Sequence, residues 1–337
     1  MRVRKRKREQ LILLAKGEAM EDKNQFFSYE MDTDLALEAG ECLTKSGRRA
    51  EGVAFEEEEA EGGMIHITKV TIRDQEGAKL MGKPMGQYIT LESALMREEN
   101  GMELCAHALA GYIRQLLPSQ WKTVLAVGLG NRELTVDSLG PRVIDNLFMT
   151  HHREGEGLCG LAPGVMAQTG METADIVKGV AGQTKPDVVI AVDALAARSA
   201  SRLGTTIQLT DTGITPGSGV GNHRNSLTKE SLGIPVIAIG VPMVIKAVNI
   251  AYDTLHAVLK VLNTEKAFEG ACDAIRTFSP QEAHELVEEL LQPSLGDLCV
   301  TPKDIDELVY VMGKAVAEAI NETIHHREIP GTRESRS

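Results

Sequence analysis

No pair of cysteines in this chain is placed for cross-linking or for metal capture. The five, Cys42, Cys105, Cys159, Cys272 and Cys299, are odd in number, scattered and never spaced as CxxC. That excludes a disulfide framework and a zinc knuckle, and it fits a reducing cytoplasm. Basic charge is also in deficit, with 36 Lys and Arg against 48 Asp and Glu and a net charge of -12. Such a surface does not neutralise phosphates, so nucleic acid and acidic membrane are excluded as direct partners. Long apolar runs are missing too. No stretch reaches the roughly 18 to 20 uncharged apolar residues of a membrane-spanning helix. The apolar run Leu11 to Ala15 behind the basic start is shorter than the roughly 7 to 15 residues of a signal-peptide core. The expectation is a soluble, cytoplasmic protein.

Several catalytic signatures are incomplete. His284-Glu285 lacks the second histidine of a zincin helix, and the adjacent pairs His151-His152 and His325-His326 diverge on a helix, so no metal site is expected. Ser199 and Ser218 lack the G-x-S-x-G elbow of serine hydrolases. The loop Gly128-Leu129-Gly130-Asn131-Arg132-Glu133 opens like a dinucleotide fingerprint but carries Glu133 at the third glycine, and no cofactor is expected from it.

What is present is a chain of 337 residues, 42% hydrophobic, long enough for one large core or two smaller ones. Residues 1 to about 33 are charged and aperiodic and read as a tail or pro-segment. Glu56 to Glu59 reads as a solvated loop before a β-rich run, Ile65 to Ile72. From Thr123 onward, short β-branched runs alternate with helical stretches. Thr123–Leu129, Asp187–Val192, Thr205–Thr210 and Pro235–Val241 are apolar on both faces, the pattern of strands buried on both sides in a mainly parallel sheet. Helices are expected after Pro141 (Val143, Ile144, Leu147, Phe148), over Val244 to Leu262, and from a Thr301-Pro302 cap with Ile305, Leu308, Val309, Met312, Val316 and Ile320 on one face. The fold class is therefore α/β, a mainly parallel twisted sheet flanked by helices, with a β-rich segment over 65–90. In such sheets ligands sit beyond the carboxyl ends of the strands.

Two aspartates stand there. Asp137 follows the first strand and Asp193 the second, so the two carboxylates are placed to converge over one edge of the sheet. Neighbouring carboxylates cannot both ionise freely, and one proton shared between them allows water to be activated and a leaving amine to be protonated. The competing reading makes each a helix cap. Asp211-Thr212-Gly213 spells the tripeptide of pepsin-like proteases in the wrong fold class, which leaves Asp211 as a neighbour of the site. Gly130, Asn131, and then Gly217 and Gly219 in the following glycine-rich loop could hold a substrate backbone.

These residues resemble a known family. Val127-Gly128-Leu129-Gly130-Asn131, Asp137 to Val143, Leu161 to Met166, Asp193 to Ser199, Asp211 to Asn222 and Gly233 to Pro242 are similar to the germination proteases of spore-forming bacteria, over roughly residues 31 to 325. The resemblance implies an aspartic-type endopeptidase with a core like that of hydrogenase-maturation endopeptidases, catalytic residues at Asp137 and Asp193, and no metal. It further implies a homotetramer of the spore core whose substrates are small acid-soluble spore proteins. It implies a zymogen that removes its own pro-segment, residues 1–34, by cutting between Asp34 and Leu35 within Thr33-Asp34-Leu35-Ala36-Leu37-Glu38. A single peptidase domain would then span 35–330, with a disordered tail at 331–337. We assign Asp193 as base and Asp137 as acid. Val136 replaces the usual proline, and the stretch Thr150 to Cys159 is shorter than in typical members. Two other readings stand beside this one, a metal-dependent maturation peptidase and a non-catalytic nucleotide- or ligand-binding module.

Overall fold

The computed structural model describes residues 33–45, 51–154, 157–217, 225–262, 287, 289–291 and 298–325. The expected pro-segment up to residue 32, Gly219, His284 and the expected tail 331–337 lie outside these. Among the described residues the chain runs α1 (Ala36–Lys45), β1 (Val53–Ala60), β2 (Ile65–Ile72), α2 (Gln75–Met81), β3 (Gly86–Glu92), α3 (Glu99–Leu116), β4 (Thr123–Gly128) and α4 (Leu139–Asp145). It continues through α5 (His151–Glu154), β5 (Gly157–Leu161), α6 (Met166–Thr169), α7 (Thr173–Thr184), β6 (Val188–Ala197) and β7 (Thr206–Thr210). The last elements are α8 (Lys229–Leu232), β8 (Val236–Lys246), α9 (Ala247–Leu262), β9 (Cys299–Val300) and α10 (Ile305–His325).

All these strands join one sheet in the order β1-β2-β3-β7-β8-β6-β4-β5, with β9 on β8. The half built from β8, β6, β4 and β5 is parallel, as the doubly apolar runs predict. Period-two alternation explains its two cores. Val124 and Ala126 of β4, with Val188, Ile190 and Val192 of β6, meet Leu109, Val316 and Ile320 of α3 and α10 on one face. Leu125, Val127, Val189 and Ala191 meet Val177 and Ala181 of α7 on the other. Each fully buried aliphatic side chain contributes about 1.5–3 kcal/mol, so strand and helix faces of this kind hold the sheet between two layers.

The other half is antiparallel, because β3 pairs with β7 and β7 with β8 in that sense. For β7 the reason is the connection. Only residues 198–205 separate β6 from β7, whereas a parallel return needs a crossover of about a dozen residues or more. The acidic run Glu56 to Glu59, expected as a loop, is instead part of β1 and pairs residue by residue with β2. It is solvated all the same, since it forms the outer edge of the sheet, where Lys69 lies 2.8 Å from Glu58. β8 also runs further than expected. Val244 and Ile245 extend the strand instead of opening a helix, because Ala196 and Ala197 of β6 and Val300 of β9 pair with them. The α4 helix ends at Asp145, which leaves Phe148 exposed at 67%.

Candidate functional site

The site grows from the place where β4 ends against the middle of β6. Gly128 is in register with Val192, and Leu129 adds one more rung by donating its N–H to the Val192 carbonyl at 2.8 Å. The chain must then turn off the sheet, and Gly130 does this at φ +107°, a conformation that side chains other than glycine rarely adopt. The loop closes on itself. The Asn131 N–H donates to both the carbonyl oxygen and Oδ2 of Asp137, each at 2.9 Å. Gly140 lets α4 seat against the strand ends, for a Cβ there would lie 2.4 Å from the Leu129 carbonyl oxygen and 2.6 Å from that of Val192. The turn of Thr135 to Asp137 thus packs against β6, and Asp137 lines the same cavity as Asp193.

Neither aspartate acts as a cap. Ser138 holds the N-cap position of α4 and its hydroxyl donates to the Thr135 carbonyl. No helix begins at Asp193, as the cap reading would require: β6 continues through it to Ala197, and its Oδ1 accepts the Ala194 N–H at 2.9 Å. Asp193 is only 5% exposed. Together the two carboxylates line one cavity of about 310 Å³. A water molecule takes about 30 Å³ of liquid volume, so the space can hold water and part of a peptide. Its apolar walls are Leu134, Val136 and Val165, and Ile214, Pro216 and Gly217 close another side. Paired N–H and carbonyl bonds between Ile214 and Leu227 fix that last loop. Asn131 Oδ1 also accepts from Gln168 Nε2 at 2.7 Å, and Gln168 Oε1 in turn accepts the N–H of Val165, which lines the cavity.

Asp34 lines the same cavity. Its N–H donates to the Ala196 carbonyl at 3.0 Å, and its Oδ2 accepts the Ala196 N–H at 2.8 Å. The next residue, Leu35, has no exposed surface and packs with Leu195, Ala197, Leu203 and Ile245. Glu38, 2% exposed, accepts from the N–H groups of Arg198 (2.7 Å) and Ser199 (2.8 Å) and from the Thr33 hydroxyl. Lys83 Nζ donates to the Thr33 carbonyl at 2.8 Å. Burial pushes the Lys83 ammonium below the ordinary lysine range, and the carboxylates of Asp34 and Glu38 pull it back up. Gln208 on β7 accepts the Ala36 N–H through Oε1 (2.7 Å) and donates from Nε2 to the Asp34 carbonyl (3.2 Å). The strongest of these ties is Glu38, since a buried carboxylate with charge-assisted donors leaves orphaned N–H groups when removed. Glu38→Ala is expected to lower the unfolding free energy by roughly 2–4 kcal/mol. Urea titration reads this directly, and an unchanged midpoint would mean that the two N–H groups find other partners.

Of the other residues picked out from sequence, Gly130, Asn131 and Gly217 line the cavity. Asp211 does not. It is exposed, and its Oδ1 accepts the Gln87 N–H at 2.8 Å, which joins β7 to the start of β3. Gly219 falls outside the described residues. Lys83 and Gln208 carry no motif; only the pairing of β7 with β3 and β8 brings Gln208 beside Asp34. Among the described residues, no three His, Cys, Asp or Glu side chains are grouped to hold a metal ion. No helix among them is long and apolar enough to cross a membrane.

A family profile described as germination protease matches residues 31–271. The germination protease of Caldanaerobacter subterraneus is 46% identical over 303 residues, covering 86% of this chain and 92% of that protein. That of Clostridium perfringens is 40% identical over 309 residues, covering 87% and 94%. That of Bacillus velezensis is 39% identical over 355 residues, covering 91% and 95%. Among solved structures, a NiFe hydrogenase maturation protease from Thermococcus kodakarensis matches 39% of this chain and 80% of its own, at 22% identity and a TM-score of 0.28.

Proposed function

The chain belongs to the germination protease family, a protease of spore germination, and on that premise we propose that it is an aspartic-type endopeptidase made as a self-processing zymogen. Its substrates in this reading are small acid-soluble spore proteins, its setting is the spore core, and its working form is a homotetramer. One observation carries the catalytic part: Asp137, Asp193 and the residue before the proposed cut, Asp34, line a single cavity.

In that cavity the pair shares the work of hydrolysis. The ionised carboxylate, assigned to Asp193, takes a proton from water as its oxygen adds to the carbonyl carbon. The protonated one, assigned to Asp137, gives a proton to the departing amine. Proximity separates their roles, because two nearby carboxylates favour a state in which one holds a proton. The apparent ionisations then belong to the pair and not to either residue alone. Contacts on both sides of Asp34 support the cut site. The Asp34 N–H bond to the Ala196 carbonyl and the anchorage of Glu38 in the first turn of α1 hold Thr33 to Leu35 in place at the cavity that the two aspartates line.

The test is mass measurement of the purified chain before and after incubation, followed by its addition to a small acid-soluble spore protein. Loss of residues 1–34 and a mature N-terminus at Leu35 are expected, together with cleavage of the added protein. A chain that stays whole and leaves the added protein intact would sink the reading.

A further inference from the structure

Gln208 is a buried polar residue in a strand whose neighbours, Ile207 and Leu209, are wholly core. Both ends of its side-chain amide are in use, and they reach two successive peptide groups on either side of Leu35. The Ala36 main chain offers Oε1 only a donor, so the orientation of the amide is fixed: oxygen toward Ala36 N–H (2.7 Å), nitrogen toward the Asp34 carbonyl oxygen (3.2 Å). That carbonyl belongs to the Asp34–Leu35 peptide, and Asp34 lines the cavity that Asp137 and Asp193 share. A donor placed on the carbonyl oxygen of a bond about to be hydrolysed meets the oxygen on which negative charge develops.

We propose that Gln208 is a catalytic residue of the self-processing step, the donor that holds the Asp34 carbonyl oxygen and stabilises the oxyanion formed there. This rests on Asp34–Leu35 being the bond cut. In the step, the oxygen of a water molecule bonds to the Asp34 carbonyl carbon and the carbonyl π pair moves onto its oxygen, where the Gln208 Nε2–H meets it. The proton lost by water goes to the ionised carboxylate of the pair. When the electron pair returns to re-form C=O, the bond to Leu35 nitrogen breaks and that nitrogen takes a proton from the protonated carboxylate. Asp34 leaves as a C-terminal acid and Leu35 as an amine, with water as the sole co-reactant. A neutral hydrogen bond in the uncut chain becomes charge-assisted in the intermediate, so its strength rises where the barrier lies.

Sequence alone gives Gln208 no distinction, for it sits in an ordinary β-branched run. Its role follows from the antiparallel placement of β7, which sets it across from the entry of α1. The Ala36 bond has a further use, because it keeps the amide from rotating its oxygen toward the site, where it would repel the developing charge.

The experiment follows self-processing of the full-length chain by mass spectrometry over time in wild type, Gln208→Met and Gln208→Glu. Methionine keeps the length and neither donates nor accepts strongly. Glutamate still offers an oxygen to Ala36 but places no donor on Asp34, so it keeps the start of α1 supported and serves as the fold control, checked by thermal melting. Both variants are expected to process about 10²- to 10³-fold more slowly than wild type, the loss that follows removal of one oxyanion donor. Wild-type maturation at Leu35 with both variants processing within about threefold of it would overturn the assignment and leave the cut site intact. A wild-type mature N-terminus elsewhere would overturn the cut site and this assignment with it. A mature Leu35 terminus with Gln208→Glu folded and slow establishes the donor role.

Discussion

Asp193→Asn is expected to give a chain that folds normally and stays full length. Asparagine is the same size and its Oδ1 can still accept the Ala194 N–H that Asp193 holds at 2.9 Å. The Ala194 hydrogen bond therefore survives, while the charge and the ability to take a proton are lost. General acid–base catalysis contributes about 10²- to 10⁴-fold, so processing should slow by about that factor. Asp137→Asn should behave alike, because the amide oxygen of the new side chain can still accept from the Asn131 N–H that now meets Asp137 Oδ2. Groups that act as a unit are strongly non-additive, and the double variant should be little worse than either single one. Time-resolved mass measurement with a thermal melt of each variant decides the matter. Processing of Asp193→Asn at the wild-type rate would remove the pair from the mechanism, whereas two independent multiplicative losses would mean that the carboxylates work at separate steps.

Gly130→Ala is expected to cost both stability and activity, and through one collision. The backbone stands at φ +107°, and a Cβ there would lie 2.0 Å from the Asp137 carbonyl oxygen and 2.9 Å from its Oδ1. Backbone strain of this kind costs about 1–3 kcal/mol, and the clash adds to it unless Asp137 moves. If it moves by about 1 Å, a loss on the order of 10²-fold in rate follows. Gly170→Ala is the matched control, since Gly170 has φ +70° and nothing within 4 Å of the added Cβ. It should lose about 1 kcal/mol and keep its rate. Equal activity in the two alanine variants would show that the Gly130 turn does not position Asp137.

The parallel half of the fold was legible because burial on both faces writes itself into β4 and β6 as unbroken apolar runs. Both aspartates stand out in sequence by their place after those runs, and the fold brings them to one cavity. The helix that the cap reading requires at Asp193 is absent because pairing with Val241 to Ile245 on β8 keeps Ala194 to Ala197 extended, although they carry no local strand signal of their own. Val244 and Ile245 were assigned to a helix for the same reason, as β-branched pairs fit either period over so short a run. Asp211, kept from the tripeptide only as a neighbour of the site, does not line the cavity, and its carboxylate joins strands instead. Lys83 and Gln208 were invisible to pattern altogether, because each is placed by a partner far away in the chain.

The outer strand has a consequence for how copies of this protein can meet. Among the described residues no strand pairs with the outer side of β1, and an open rim of this kind is the usual template for runaway strand-to-strand stacking between molecules. Four successive glutamates, Glu56 to Glu59, occupy that rim, and because side chains alternate along a strand they guard both of its faces. A second copy brought edge to edge would set carboxylate against carboxylate, so the rim resists aggregation when protein is crowded, and a closed oligomer has to be built through other surfaces. Acidification or high salt, which mute that repulsion, are the conditions under which the rim would become adhesive.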